Sequence, residues 1–173
     1  MHASVPLIVR PPRIRDLDRL FAIYGDPATQ RFNPAGPLAD RGQAQALLDH
    51  WLAHWERHGY GWWAIAEAQA PGEVIGFGGI ALHPYLDELR VNLGYRFAVQ
   101  AWGKGHATQL GRQALAQGFD VLRLPRIHGF VRPDHAASIR VLEKIGMQPV
   151  GTLDDVPGQA PSLVFEAVSG AAR

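Results

Sequence analysis

Two glycines one residue apart, inside Trp102-Gly103-Lys104-Gly105-His106-Ala107-Thr108, open a strongly periodic helix just after an apolar run that ends at Val99. Glycine lets the backbone turn tightly with its N–H groups pointing inward. The first turn of a helix adds N–H donors without intrahelical partners and the positive end of the helix dipole. Converging donors with a fixed positive potential suit a phosphate-like anion. Taken alone the pattern is common, and a glycine-softened helix start with no ligand reads the same way. Two nucleotide-binding alternatives fail on spacing. A Walker-type phosphate loop needs Ser or Thr after Gly-Lys, where Gly105 stands. A Rossmann fingerprint needs a third glycine where Thr108 stands, and it belongs on an early βαβ unit rather than behind several strands.

Other chemistry-bearing residues have plainer readings beside their functional ones. His50, His54 and His58 recur every four residues on one helical pattern, but no carboxylate joins them in a metal-binding spacing. They read as a solvated flank, and no metal is expected. Trp51 and Trp55 sit on an apolar helical stripe and belong to a core, whereas Trp62 or Trp63 could edge a pocket for a cationic group.

The elements that position these residues follow from periodicity. Leu7-Ile8-Val9-Arg10 is a first strand, ended by Pro11-Pro12. Leu17, Leu20, Phe21 and Tyr24 lie at helical spacing with Asp16 as cap. Gly25 to Pro37 is a loop. Ala44, Leu47, Leu48, Trp51, Leu52 and Trp55 make a second apolar helical face. Trp62–Ala68 and Val74–Leu82 are strands joined at Ala70-Pro71-Gly72, and Val91, Leu93, Tyr95, Phe97 and Val99 alternate as a half-buried strand. After the glycine turn, Ala107, Leu110, Gly111, Ala114, Leu115, Gly118 and Leu122 line one helix face. Arg126–Val131 is a strand, Ala136–Ile145 a short helix ended by Gly146, and Met147–Thr152 and Ser162–Val168 are the last strands, separated by the loop Asp154–Pro161. Strands and helices in this mixed order make an α+β chain, expected to be one domain over residues 1–173.

Composition narrows the function classes. The 173 residues carry a net charge of +1, no cysteine, 47% hydrophobic and 19% charged side chains. No disulfide, thiolate metal site or cysteine nucleophile is available. The balanced charge and the lack of a basic stripe argue against nucleic acid as a partner. No apolar run approaches the roughly 18 residues that span a bilayer, so no membrane is expected. Met1 to Pro6 lack a leader pattern, and a cytoplasmic setting fits.

About thirty residues after the glycine turn comes Val131-Arg132-Pro133-Asp134-His135-Ala136-Ala137-Ser138-Ile139-Arg140-Val141-Leu142-Glu143-Lys144-Ile145-Gly146-Met147. The two stretches together resemble the GNAT superfamily of acyl-CoA N-acyltransferases. Within it they are most similar to the branch of ribosomal-protein-alanine N-acetyltransferases. That branch reads Trp-Gly-Lys-Gly-Tyr-Ala-Thr at the first stretch. At the second it reads Pro-x-Asn-x-Ala-Ser and then Arg-Val-Leu-Glu-Lys-Leu-Gly-Phe. Leu93-Gly94-Tyr95 and Val74-Ile75-Gly76-Phe77-Gly78-Gly79-Ile80 extend the likeness, in matching order over roughly residues 7 to 152.

The resemblance implies a mixed central sheet that splays after the fourth strand, with helices on both faces. It implies acetyl-CoA as co-substrate. The amides of Gly103, Lys104, Gly105, His106, Ala107 and Thr108, with Trp102 before them, would hold the pyrophosphate. The backbone of Phe97, Ala98 and Val99 would pair with the pantetheine arm. His135 stands where the branch has Asn, so it is either a cofactor contact or a plain helix-start histidine. Ser138 matches the serine near the sulfur, where it can protonate the leaving thiolate, or it only bonds the helix start. Leu142 takes the place of the Tyr acid of many members. Asn92 replaces a Glu often found before Leu-Gly-Tyr and cannot accept a proton. Asp87, Glu88 and His83 are near in sequence, and none is singled out as base.

The expected function is acetyl transfer to a primary amine, on a protein N-terminus or a small molecule, by direct attack in a ternary complex. A non-catalytic acyl-CoA-binding sensor is the competing reading, suggested by Asn92 and His135. Homodimers are common in such families, although no interface is marked in the sequence.

Overall fold

A computed structural model describes residues 5–170, so of the Met1–Pro6 stretch the first four lie outside the described residues. The elements are β1 (Leu7–Arg10), α1 (Leu17–Tyr24), α2 (Arg41–His58), β2 (Trp62–Glu67), β3 (Val74–Tyr85), β4 (Glu88–Phe97), α3 (His106–Ala116), β5 (Arg126–Val131), α4 (Ala136–Lys144), β6 (Gln148–Leu153) and β7 (Ser162–Val168). The strands form a mixed seven-stranded sheet in the order β1-β2-β3-β4-β5-β7-β6. A parallel step, β4 to β5, is registered at Asn92↔His128, whereas the antiparallel β5–β7 ladder runs from Arg126↔Val168 to Val131↔Leu163. The short parallel register is the opening expected after the fourth strand.

By contacts the chain forms two compact units. The first runs to Gly79 and takes in Tyr95–His106; the second comprises Ile80–Gly94 and the chain from Ala107 onward.

In the first unit, β2 pairs antiparallel with β1 and β3, with an irregularity between Ile65 and Ala66. Helices α1 and α2 lay Leu20, Ile23, Tyr24, Leu48 and Trp51 against Phe77 of β3. Burial of side chains of this size stabilises by about 1.5–3 kcal/mol each. Helix α2 begins where the Asp40 carboxylate accepts the Gln43 N–H at 2.8 Å and ends at Gly59, whose φ of 72° closes it. Asp16 does precede α1 but does not cap it. Its backbone is already helical, and its carboxylate binds both Arg10 Nη atoms at 2.8 Å and the Arg13 N–H at 2.7 Å. A guanidinium within reach outcompetes a cap.

In the second unit, β5 and β7 carry the sheet and α3 and α4 pack upon it. The small residues expected on α3 permit this: a Cβ at Gly118 would sit 2.4 Å from Ile127 Cδ1, and one at Gly111 would sit 2.8 Å from Ile145 Cδ1. After Ala116 the helix widens into a π turn over Gln117–Val121, which no residue pattern announced.

Candidate functional site

The glycine turn belongs to the first unit. Strand β4 stops at Phe97, not Val99, because the Ala101 N–H turns back to the Ala98 carbonyl at 2.9 Å and Val99–Ala101 winds into a single 3-10 turn. The strict alternation through Val99 therefore overran the strand by two residues. Val99 is exposed, and its carbonyl accepts the Trp102 N–H at 3.0 Å. The indole Nε1 of Trp102 donates back to Phe97 O at 2.9 Å while half its surface stays exposed. Gly103 and Gly105 both take left-handed φ values, 74° and 80°. A Cβ at either would meet nothing within 4 Å, so their need is conformational rather than steric. An L-residue in that region costs about 1–2 kcal/mol. Helix α3 then opens at His106 with no acidic residue in its first turn.

The residue that anchors this turn carries no local sequence signal. Glu67, the last residue of β2, places Oε1 2.8 Å from His106 Nε2 and 3.8 Å from Lys104 Nζ. His106 is 2% exposed, and its ring lies 6.1 Å from that of Phe97. Its side chain is therefore turned into the unit, and only its main chain remains for a ligand. The His106 hydrogen bond holds the Glu67 carboxyl below the usual carboxylate range, with Lys104 helping, against a smaller opposing effect of burial. Only the fold brings a carboxylate from position 67 to position 106. A small cleft of about 130 Å³ adjoins, walled by Glu67, Glu73, Ile75, Gln100 and Lys104.

Trp62 and Trp63 are drawn into packing. The Trp62 ring stacks on Trp51 at 5.3 Å, its carbonyl accepts the Trp55 indole at 2.7 Å, and Trp63 is buried. His54 and His58 rings lie 4.5 Å apart beside Tyr60, whose carbonyl is 2.9 Å from His54 Nδ1. Among the described residues no group of three or more His, Cys, Asp or Glu side chains is arranged for a metal ion, and no helix is long and apolar enough to cross a membrane.

His135 and Ser138 belong to the second unit. His135 immediately precedes α4, half-buried, with φ −85° and ψ 67°, and Ser138 lies in the first turn. Leu142 is buried, and its Cδ2 would lie 3.5 Å from a Cβ at Gly129. Asn92 is buried too, and its Oδ1 accepts the Tyr85 hydroxyl at 2.5 Å. Its register partner His128 sets Nε2 3.1 Å from Glu166 Oε2. Tyr85, His128 and Glu166 carry no local sequence signal, since their relation is set by strand register. Of the nearby acids, Asp87 is exposed and Glu88 pairs with Arg90 at 3.0 Å. The His83 ring packs 5.0 Å from Phe130.

A family model for the acetyltransferase (GNAT) domain matches residues 6–148. The chain is 30% identical over 153 residues to the uncharacterized protein YkkB of Bacillus subtilis (strain 168), covering 85% of this chain and 87% of that one. It is 27% identical over 149 residues to the uncharacterized N-acetyltransferase p20 of Bacillus licheniformis, covering 86% and 83%. Among solved structures, spermidine N-acetyltransferase from Vibrio cholerae, in complex with CoA and spermine, superposes with a TM-score of 0.76 at 17% identity, over 94% of this chain and 95% of that one.

Proposed function

The chain belongs to the GNAT acetyltransferase family and is an acyltransferase, and we propose that it moves the acetyl group of acetyl-CoA to a primary amine by direct attack within a ternary complex. The observation that carries this reading is the left-handed pair Gly103 and Gly105 at the start of α3, braced by Glu67–His106 and by Trp102–Phe97. Backbone amides from Gly103 to Thr108 and the exposed Lys104 ammonium would meet the pyrophosphate. Phe97, Ala98 and Val99 would supply main-chain groups to the pantetheine arm, and His135 a further contact. A thioester is already activated, so an aligned neutral amine can attack it in one step. No cysteine is present to hold an acyl group as a thioester, and the reading passes the acetyl group directly to the amine. Ser138 is left to protonate the departing thiolate.

The reading takes residues 1–173 as one catalytic domain in the cytoplasm, working without metal, nucleic acid or membrane, with a homodimer as its assembly. The acceptor is a protein N-terminal amine or a small-molecule amine. Free-thiol release with a panel of amines tests it. Spermidine, an aminoglycoside and an alanine-initial peptide cover the classes. Turnover with intersecting lines, when amine and acetyl-CoA are varied together, is expected. Thiol release with none of them, with acetyl-CoA still bound, would instead favour a non-catalytic sensor.

A further inference from the structure

A row of polar side chains crosses four strands of the second unit. Tyr85 of β3 donates to Asn92 of β4 at 2.5 Å, Asn92 is in register with His128 of β5, and His128 is in register with Glu166 of β7. Register partners project to the same face of a sheet. The members are well buried: Tyr85 is 3% exposed, and Asn92 and His128 are 6% each. Strand alternation sets His128 on the face opposite Gly129, whose missing Cβ points at Leu142 of α4 and at Met147. A buried, titratable pair of this kind needs a reason, because replacing it with apolar groups is often neutral or stabilising. It also sits at the registered pair, Asn92↔His128, by which β4 and β5 meet as parallel neighbours, and the two strands part beyond it.

We infer that His128 is the proton acceptor for the amine substrate, with Glu166 as its orienting partner and Asn92, locked by Tyr85, beside it. This rests on the acetyl-transfer reading above. With Nε2–H directed to the Glu166 carboxylate, the neutral ring presents Nδ1 as acceptor. The ammonium R–NH3⁺ gives one proton to Nδ1, directly or through one water. The freed nitrogen lone pair forms the C–N bond to the acetyl carbon and the C–S bond breaks. The sulfur takes the electron pair and the Ser138 hydroxyl proton, the second nitrogen proton restores that hydroxyl, and the imidazolium returns the first proton to solvent. Burial and three charged groups set the ring's charge. Burial disfavours the imidazolium most and Arg90 of β4 next, Glu166 opposes both, and Arg126 of β5 adds a small effect in the direction of Arg90. The net lowering leaves His128 neutral and able to accept at pH 7. The Tyr85 hydroxyl, pushed up by burial, stays protonated as a donor to Asn92.

The test compares kcat/KM against pH for wild type, His128→Asn and Glu166→Gln, using whichever of spermidine, an aminoglycoside and an alanine-initial peptide turns over fastest. Calorimetry with acetyl-CoA runs in parallel. His128→Asn should keep acetyl-CoA affinity within twofold, lose kcat/KM a hundredfold or more at pH 7, and lose the acidic limb of the profile. Glu166→Gln removes the group that favours the imidazolium, so its acidic limb should move to lower pH with cofactor affinity unchanged. This second variant decides the matter if the first does not fold. A limb that stays in place in either folded variant overturns the assignment. A wild type that binds acetyl-CoA yet acetylates none of the three amines removes the reaction and the base with it. A wild type that transfers acetyl groups while the limb persists without His128 retains the reaction and rejects only the base.

Discussion

Oε1 of Glu67, at the end of β2, lies 2.8 Å from Nε2 of the buried His106, the first residue of α3. The contact fastens the helix start to the sheet just behind two glycines that carry left-handed φ values. A phosphate cradle made of main-chain amides has no side chains of its own to shape it. The geometry of the cradle proposed here is held by neighbours, Glu67 and the Trp102–Phe97 hydrogen bond.

Removing that brace should loosen the cradle without removing any ligand-binding group. Glu67→Ala leaves a buried imidazole nitrogen unpaired. We expect a lower melting temperature and acetyl-CoA affinity reduced several-fold by calorimetry, with Glu67→Gln intermediate because its amide can still bond the ring. Equal affinity and melting temperature in all three proteins would show the contact to be incidental.

Acid should destabilise the first unit through two carboxyls. Burial alone would raise the Asp16 pKa, but hydrogen bonds from Arg10 and Arg13 and the Arg10 charge together hold it below the usual range, as His106 does for Glu67. A carboxyl with a lowered folded value contributes its full stability above the ordinary carboxylate range and loses it as pH falls through the lowered value. Denaturant unfolding between pH 7 and pH 3 should therefore show a stability loss that is smaller in Asp16→Asn. Arg10→Ala strands the Asp16 carboxylate and should cost about 3 kcal/mol at pH 7, at the low end for a broken buried pair because Arg10 is partly exposed. An unchanged pH slope in Asp16→Asn would contradict this.

Much of the architecture was legible because periodicity and punctuation agree. Leu7–Arg10, Arg126–Val131 and Ser162–Val168 have the bounds their residue patterns give. The failures have physical causes. Alternation cannot tell Val99 in a strand from Val99 in a 3-10 turn, since the stop is a main-chain turn from Ala101 N–H to Ala98 O that side-chain pattern does not report. Asp16 looks like a cap until Arg10 comes within reach. The glycines of the candidate cradle could be read locally. Glu67, Tyr85, His128 and Glu166 could not, because their partners lie on other strands or at a helix start far along the chain.

Gly76 shows a constraint that composition hides. A Cβ there would lie 2.7 Å from the Arg96 carbonyl oxygen and 2.6 Å from Phe97 Cδ1. The backbone contact cannot swing aside, so Gly76→Ala should cost about 1–3 kcal/mol. Because it displaces the end of β4, it should also weaken acetyl-CoA binding. Gly111→Ala comes within 3.0 Å only of the flexible Ile145 Cδ1, at 2.8 Å, and should cost less. Equal denaturation midpoints for the two variants would refute the distinction.

The claim that main-chain amides of the glycine turn hold coenzyme A is tested most directly by calorimetric titration of acetyl-CoA into wild type and Gly105→Val. No atom within 4 Å would clash with the new Cβ, but at φ 80° a β-branched residue is strained, and the flipped backbone would withdraw its N–H groups. Affinity should fall at least tenfold while circular dichroism and melting stay close to wild type. Unchanged affinity in a folded Gly105→Val protein would contradict the cradle.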